Sequence, residues 1–161
     1  MPEFLDLLKA LSDEGVKFVV VGGFAMMIYG ASAVTYDLDL AIALDDENGA
    51  ALVRALEPFH PFPPQFGSAE NFVWDKRSLV GSVMSLVTSA GHIDILRTLP
   101  EVDHFDGLYE RSVVRRIGGI DLQIASVDDL ILMKQAASRP KDQEHIHQLK
   151  LLKLLQSEVN D

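Results

Sequence analysis

Asp37 and Asp39 stand two residues apart near the end of a long apolar run, VVVGGFAMMIYGASAVTYDLDLAIAL, that extends from Val19 to Leu44. Alternate side chains of a strand share a face, so both carboxylates lie together with Ala41 and Ala43, while Leu38, Leu40, Ile42 and Leu44 take the other face. Two ionised acids so placed repel by several kcal/mol at about 4 Å in a surface-like dielectric. A divalent cation reverses that sign, and hard oxygen ligands favour Mg²⁺ or Mn²⁺.

A site of this kind needs a third acid, and Asp94, set between Ile93 and Ile95 in GHIDIL, is the best candidate. His92 falls on the same face as Asp94, where a hydrogen-bonded structural role is the plainer reading. His145 and His147, two apart on an expected helix, point in different directions and make a poor metal pair. The Gly22-Gly23 pair follows a β-branched run and opens a helix, where free N–H groups can cradle a phosphate; tight packing is the simpler use of such a pair. Lys134 lies in the apolar stripe of Val127, Leu130 and Ile131, so its ammonium either snorkels to water or reaches an anion. Arg139, Lys141 and Asp142 form a charged corner in which Asp142 can cap the final helix.

The elements that must hold these groups follow from periodicity. Phe4, Leu7, Leu8 and Leu11 predict a helix from about Glu3 to Glu14 that stops at Gly15. Lys17 to Val21 reads as a buried strand, followed by a short helix ending near Gly30, the acidic strand, and a helix from Asp46 to Glu57 closed by Pro58. The stretch Pro58 to Gly67, with four prolines and three phenylalanines, reads as a loop anchored by its aromatics, or as a lid or partner-binding loop. Asn71 to Trp74, Ser82 to Val87 and His92 to Leu96 read as strands, and Arg111 to Arg116 with Ile120 to Ile124 as a hairpin about Gly118-Gly119. Two helices end the chain, the first opened by Ser126 and Asp129 at capping-box spacing, the second set off by Pro140.

The chain of 161 residues fits one domain over residues 1–161, and its 48% apolar content suffices for a core. It has no cysteine, which excludes disulfides and thiolate metal sites and agrees with a reducing compartment, so the cytoplasm is the expected location. A net charge of −10 argues against indiscriminate nucleic-acid binding, although Arg111, Arg115, Arg116, Arg139 and Lys141 could form a local basic surface. The uncharged run from Phe18 to Tyr36 is not a membrane span, because Gly22, Gly23 and Gly30 divide it. Met-Pro-Glu-Phe at the start lacks a basic signal region.

The run VGGFAMMIYGASAVTYDLDL, the strand GHIDIL and the terminal SVDDLILMKQAASRPKDQEHIHQL together resemble the nucleotidyltransferase superfamily with the DNA polymerase β-like fold. Within it they are most similar to the small bacterial branch of abortive-infection and type IV toxin–antitoxin nucleotidyltransferases. The resemblance implies an α+β fold, an α/β sandwich in which a mixed sheet carries packed helices and two C-terminal helices. It implies transfer of an NMP from an NTP to an acceptor hydroxyl of RNA, protein or a small molecule, with Mg²⁺ or Mn²⁺ and release of pyrophosphate.

By the same resemblance Asp37, Asp39 and Asp94 are the catalytic and metal-binding acids, and Gly22, Gly23, Thr35, Lys134 and Arg139 the nucleotide-binding set. Lys141 and Asp142 complete its R-x-K-D corner. The branch often has an arginine where this sequence has Ala33, a departure that bears on substrate binding. Two other readings stay open: a weak or inactive nucleotide-binding module that partners an antitoxin or other protein, and a metal-dependent phosphohydrolase, since paired aspartates also serve nucleases and phosphatases.

Overall fold

The computed structural model describes residues 3–32, 35–102, 104–137 and 139–160. Ala33, on which one expectation rested, lies outside the described residues. The elements are α1 (Phe4–Asp13), β1 (Phe18–Val21), α2 (Gly22–Ile28), β2 (Asp37–Ile42), α3 (Asp46–Leu56), β3 (Val83–Thr88), β4 (Gly91–Leu96), α4 (Phe105–Arg111), β5 (Val113–Ile117), β6 (Ile120–Ile124), α5 (Val127–Ala137) and α6 (Pro140–Asn160).

The six strands form one mixed sheet in the order β3-β4-β2-β1-β6-β5. β2 runs antiparallel to β1 but parallel to β4, which pairs antiparallel with β3. β6 lies parallel to β1 on the other side and closes a hairpin with β5. The turn of that hairpin holds Gly118 and Gly119 at φ 57° and 81°, the left-handed backbone that tight two-residue hairpins require.

Register sorts the side chains of the sheet into two unlike faces. Leu38, Leu40 and Ile42 share one face with Ile93, Ile95, Met84 and Leu86, all buried. The core cluster joins them to Leu7, Leu8 and Leu11 of α1 and Leu52 and Leu56 of α3. Full burial of one such side chain contributes about 1.5–3 kcal/mol, so this face anchors the sheet. The opposite face carries Asp37, Asp39 and Asp94, and over β3 it is open: Val83 and Ser85 are exposed.

Caps and loops follow local chemistry. Asp45 caps α3 by accepting from the Asn48 N–H at 2.8 Å, and the buried Asn48 side chain bonds Lys17 and Ala43, fastening α3 to the ends of β1 and β2. Ser126 Oγ accepts from the Asp129 N–H at 3.1 Å, starting α5. In the proline-rich stretch, Glu57–Phe59 and Pro64–Phe66 form single 3₁₀ turns, and Phe62 pairs with Val87 on the outer side of β3.

Two expectations are corrected. Asn71 to Trp74 is not a strand: a 3₁₀ turn covers Ala69–Asn71, Phe72 packs edge-on against Phe66, and the Trp74 indole donates to the Val53 carbonyl. The Trp74 indole pins the loop onto α3, while Phe72 packs within the loop. Arg111 belongs not to the hairpin but to α4, a helix the sequence reading left out, with Leu108 buried and Phe105 and Tyr109 packed on the core. No helix among the described residues is long and apolar enough to cross a membrane.

Candidate active site

The two strands that carry the acids are neighbours in the sheet. β2 and β4 pair so that Asp39 stands beside Asp94 and Asp37 beside His92, while Val21 and Ser85 continue the Asp39–Asp94 row to either side. Parallel pairing in this register puts Asp39 and Asp94 on one face, side by side. Burial, then the charge and hydrogen bond of Asp94, then the charge of Asp37 push the Asp39 carboxyl up to about 7; the Lys134 ammonium pulls the other way.

The glycine pair has a spatial reason. Gly22 sits at φ 69°, and a Cβ there would lie 2.8 Å from the Asp39 carboxylate carbon and overlap its oxygen. A Cβ on Gly23 would lie 2.9 Å from Cβ of Thr35, whose hydroxyl donates to the Asp37 carbonyl at 2.7 Å. Both positions let α2 start directly against the acidic strand.

Lys134 and Arg139 approach from the C-terminal helices, and Asp142 holds both. The Lys134 ammonium donates to Asp142 Oδ1 at 3.1 Å, and the Arg139 N–H and Nε donate to Oδ2 at 3.1 and 3.0 Å. Asp142 is 0% exposed and Lys134 16%. Burial by itself raises the Asp142 carboxyl, but the hydrogen bonds from Lys134 and Arg139 outweigh it and bring it to about 2. Lys134 thus neither snorkels nor stands free: its head is fixed by a carboxylate behind it. Asp142 does cap α6, accepting from the N–H of the residue before Pro140, and ties down two cations as well.

A cleft of about 520 Å³ brings Gly22, Asp39, Asp94, Lys134 and Arg139 together. Asp37, Gly23 and Thr35 lie beside it without lining it. Its remaining walls are apolar, with Val21, Met26, Val83, Leu96, Leu130, Met133 and Ala137. The sequence reading did not single out these walls, because Met26, Leu130 and Met133 are indistinguishable from core positions in a helical pattern. His92 is exposed and stands beside Asp37. Among the described residues, no three histidine, aspartate or glutamate side chains stand together as a ready metal-binding group.

The local basic surface is largely paired. Arg111 bonds the buried Asp129 at 2.8 Å, Arg116 bonds Asp121 at 3.0 Å, and Arg139 bonds Asp142. Arg115 lies over the Tyr29 ring at 5.8 Å.

Solved structures share this architecture across nearly the whole chain. TM1012 of Thermotoga maritima, a candidate nucleotidyltransferase, superposes with a TM-score of 0.55 at 17% identity, covering 96% of this chain and 94% of its own. ANT(2″)-Ia in complex with adenylyl-2″-tobramycin gives 0.58 at 13% identity, covering 96% and 93%. An antigenic nucleotidyltransferase-like protein of Paracoccidioides brasiliensis gives 0.56 at 12% identity, covering 95% and 75%. At these identities the likeness shows the fold alone, α+β, which among the described residues is a mixed six-stranded sheet with six α-helices. No curated protein matches the chain in sequence. A family profile matches residues 2–159, nearly the whole length, and by it the chain belongs to the family described as nucleotidyltransferase of unknown function (DUF6036).

Proposed function

We propose that this single domain transfers an NMP from an NTP to an acceptor hydroxyl in a divalent-metal-dependent reaction that releases pyrophosphate. The observation that carries this reading is the convergence of Asp39 and Asp94, in adjacent register, with Gly22, Lys134 and Arg139 in one cleft. Family membership supports nucleotidyl transfer in general, and ANT(2″)-Ia, caught with an adenylylated antibiotic, shares the fold.

The residues fit a divalent cation. The Asp39 carboxyl, raised to about 7 by burial and the neighbouring acids, would be relieved by a cation, and only glycine at position 22 leaves the Asp39 carboxylate its place. Asp39 and Asp94 would hold the metal, Mg²⁺ or Mn²⁺, with Asp37 adding its charge from beside the cleft, and the metal when bound would supply charge neutralisation at the reacting phosphate. The chain's own groups do the rest. Lys134 and Arg139, fixed by Asp142, offer positive charge to a triphosphate with little reorganisation. The Asp94 carboxylate, on the open β3 side of the sheet, accepts the proton of the incoming hydroxyl. The motif order supports a place beside the abortive-infection and type IV toxin–antitoxin branch, and the absence of cysteine supports work in the cytoplasm.

Incubation of the protein with labelled NTPs, Mg²⁺ and a total extract of tRNA and protein tests the reading. Label transfer with pyrophosphate release is expected, and Asp37→Asn should abolish it while leaving the circular dichroism spectrum unchanged. Turnover retained by that variant sinks the assignment, and release of inorganic phosphate in place of pyrophosphate selects a phosphohydrolase.

A further inference from the structure

Register lines up one residue from each of four neighbouring strands on the acid-bearing face. Val21 pairs with Asp39, Asp39 with Asp94, and Asp94 with Ser85. Adjacent strands lie about 4.8 Å apart, so this row crosses the sheet from β1, where Gly22 follows Val21, to the edge strand β3.

The groups expected at the triphosphate gather toward the β1 end of the row. Gly22 abuts the Asp39 carboxylate, the Lys134 ammonium acts on that same carboxylate, and Asp142 ties Arg139 to Lys134. In an in-line displacement the attacking oxygen stands opposite the leaving one. With pyrophosphate leaving on the β1 side, the acceptor arrives from the β3 side. Its hydroxyl oxygen bonds the α-phosphorus, its proton passes to Asp94, and the bond from the α-phosphorus to the bridging oxygen of the β-phosphate breaks.

The neighbour of Asp94 on that side is Ser85, which is exposed. Val83, two residues along the same face, is 54% exposed and itself lines the cleft. A serine side chain ends one bond past Cβ and an aspartate two, so the face steps down beside Asp94. The step leaves room for part of an acceptor, and its floor offers a hydroxyl that both donates and accepts. Resting on the nucleotidyltransferase reading, we infer that the acceptor lies across β3 and that Ser85 Oγ hydrogen-bonds a polar group next to the reacting hydroxyl. Ser85 thus holds the acceptor and not the nucleotide, and Val83 supplies an apolar contact beside it.

Label transfer from NTPs to a total extract of tRNA and protein, followed as a function of extract concentration, tests this beside calorimetric binding of ATP, GTP, CTP and UTP in Mg²⁺. Ser85→Ala should raise the half-saturating extract concentration by about threefold to tenfold, the worth of one neutral hydrogen bond, and Ser85→Thr should restore it. Ser85→Trp fills the step and should lower transfer by about 100-fold, with a circular dichroism spectrum like that of wild type; Ser85→Ala carries the test if the larger side chain prevents folding. All three variants should bind the nucleotides as wild type does. Full transfer by Ser85→Trp, an unchanged half-saturation in Ser85→Ala, or nucleotide binding that weakens in step with transfer overturns the inference and leaves the nucleotidyltransferase reading intact. No transfer by the wild type overturns that reading, and the inference with it.

Discussion

Lys134 donates to Asp142 across 3.1 Å, joining the last turn of α5 to the first turn of α6, and this bond sets the direction in which the lysine faces the acids of the sheet. Asp142 is the more buried partner, fully enclosed, and it also holds Arg139. One carboxylate thereby fixes two cations and the corner between two helices.

Asp142→Asn keeps an oxygen for the Arg139 N–H but removes the charge. Breaking one side of a buried pair costs about 3–5 kcal/mol when the partner is left uncompensated. Lys134 retains some solvent access, so a loss near the lower end, about 3 kcal/mol, is expected in urea unfolding. A Lys134→Met, Asp142→Asn double-mutant cycle should return a coupling of about 0.5–3 kcal/mol.

Acid sensitivity follows from the same residue with a definite sign. The Asp142 carboxyl is at about 2 in the folded protein, below the ordinary value of about 4. Its stabilisation is complete above pH 4 and is lost as pH falls from 4 through 2. Thermal melts of wild type should fall steeply in that window, and those of Asp142→Asn should fall less.

Asp39 has the opposite sign. Its folded value is raised to about 7, so folding is unhindered below pH 4, and the penalty grows as pH rises until it is complete above pH 7. Without divalent metal, Asp39→Asn should melt higher than wild type at pH 8 and at the same temperature near pH 4. A variant no more stable than wild type at pH 8 would show that the acid is not held under repulsion.

Cation binding at Asp39 should displace its proton. Below pH 7 the apparent affinity for Mn²⁺ or Mg²⁺ is then expected to weaken by about tenfold per pH unit, and above pH 7 to level off. Titration calorimetry in buffers of different ionisation enthalpy measures the released proton directly.

Gly22→Ala puts a methyl group where the Asp39 carboxylate lies and forces alanine to φ 69°. The backbone term alone costs about 1–2 kcal/mol. Loss of metal binding is expected alongside the lower stability, whereas Gly15→Ala, also at positive φ but with open space around it, should lose stability only.

The acidic strand was legible because a period of two in a greasy segment leaves carboxylates nowhere to hide, and Lys134 stood out as a charge inside an apolar stripe. The partner that explains Lys134 was less legible, because Asp142 lies eight residues on, beyond a helix break, and only the turn at Pro140 brings them together. Phe72 and Trp74 misled by alternation: one meets the Phe66 ring within the loop and the other the Val53 carbonyl of α3, and neither contact has a sequence period. The seven residues of α4 are too few for a helical pattern to declare itself, although Phe105, Leu108 and Tyr109 hold the right spacing.

The pairing of Phe62 with Val87 also governs how copies of this chain can meet. It places the proline-rich segment along the outer edge of β3, and proline offers no N–H to a further strand. At the far edge, β5 presents the exposed Arg115 and Arg116. Both margins of the sheet thus discourage an incoming strand, so growth by strand addition, the usual start of edge-to-edge aggregation, is blocked by the chain's own loop on one side and by charge on the other.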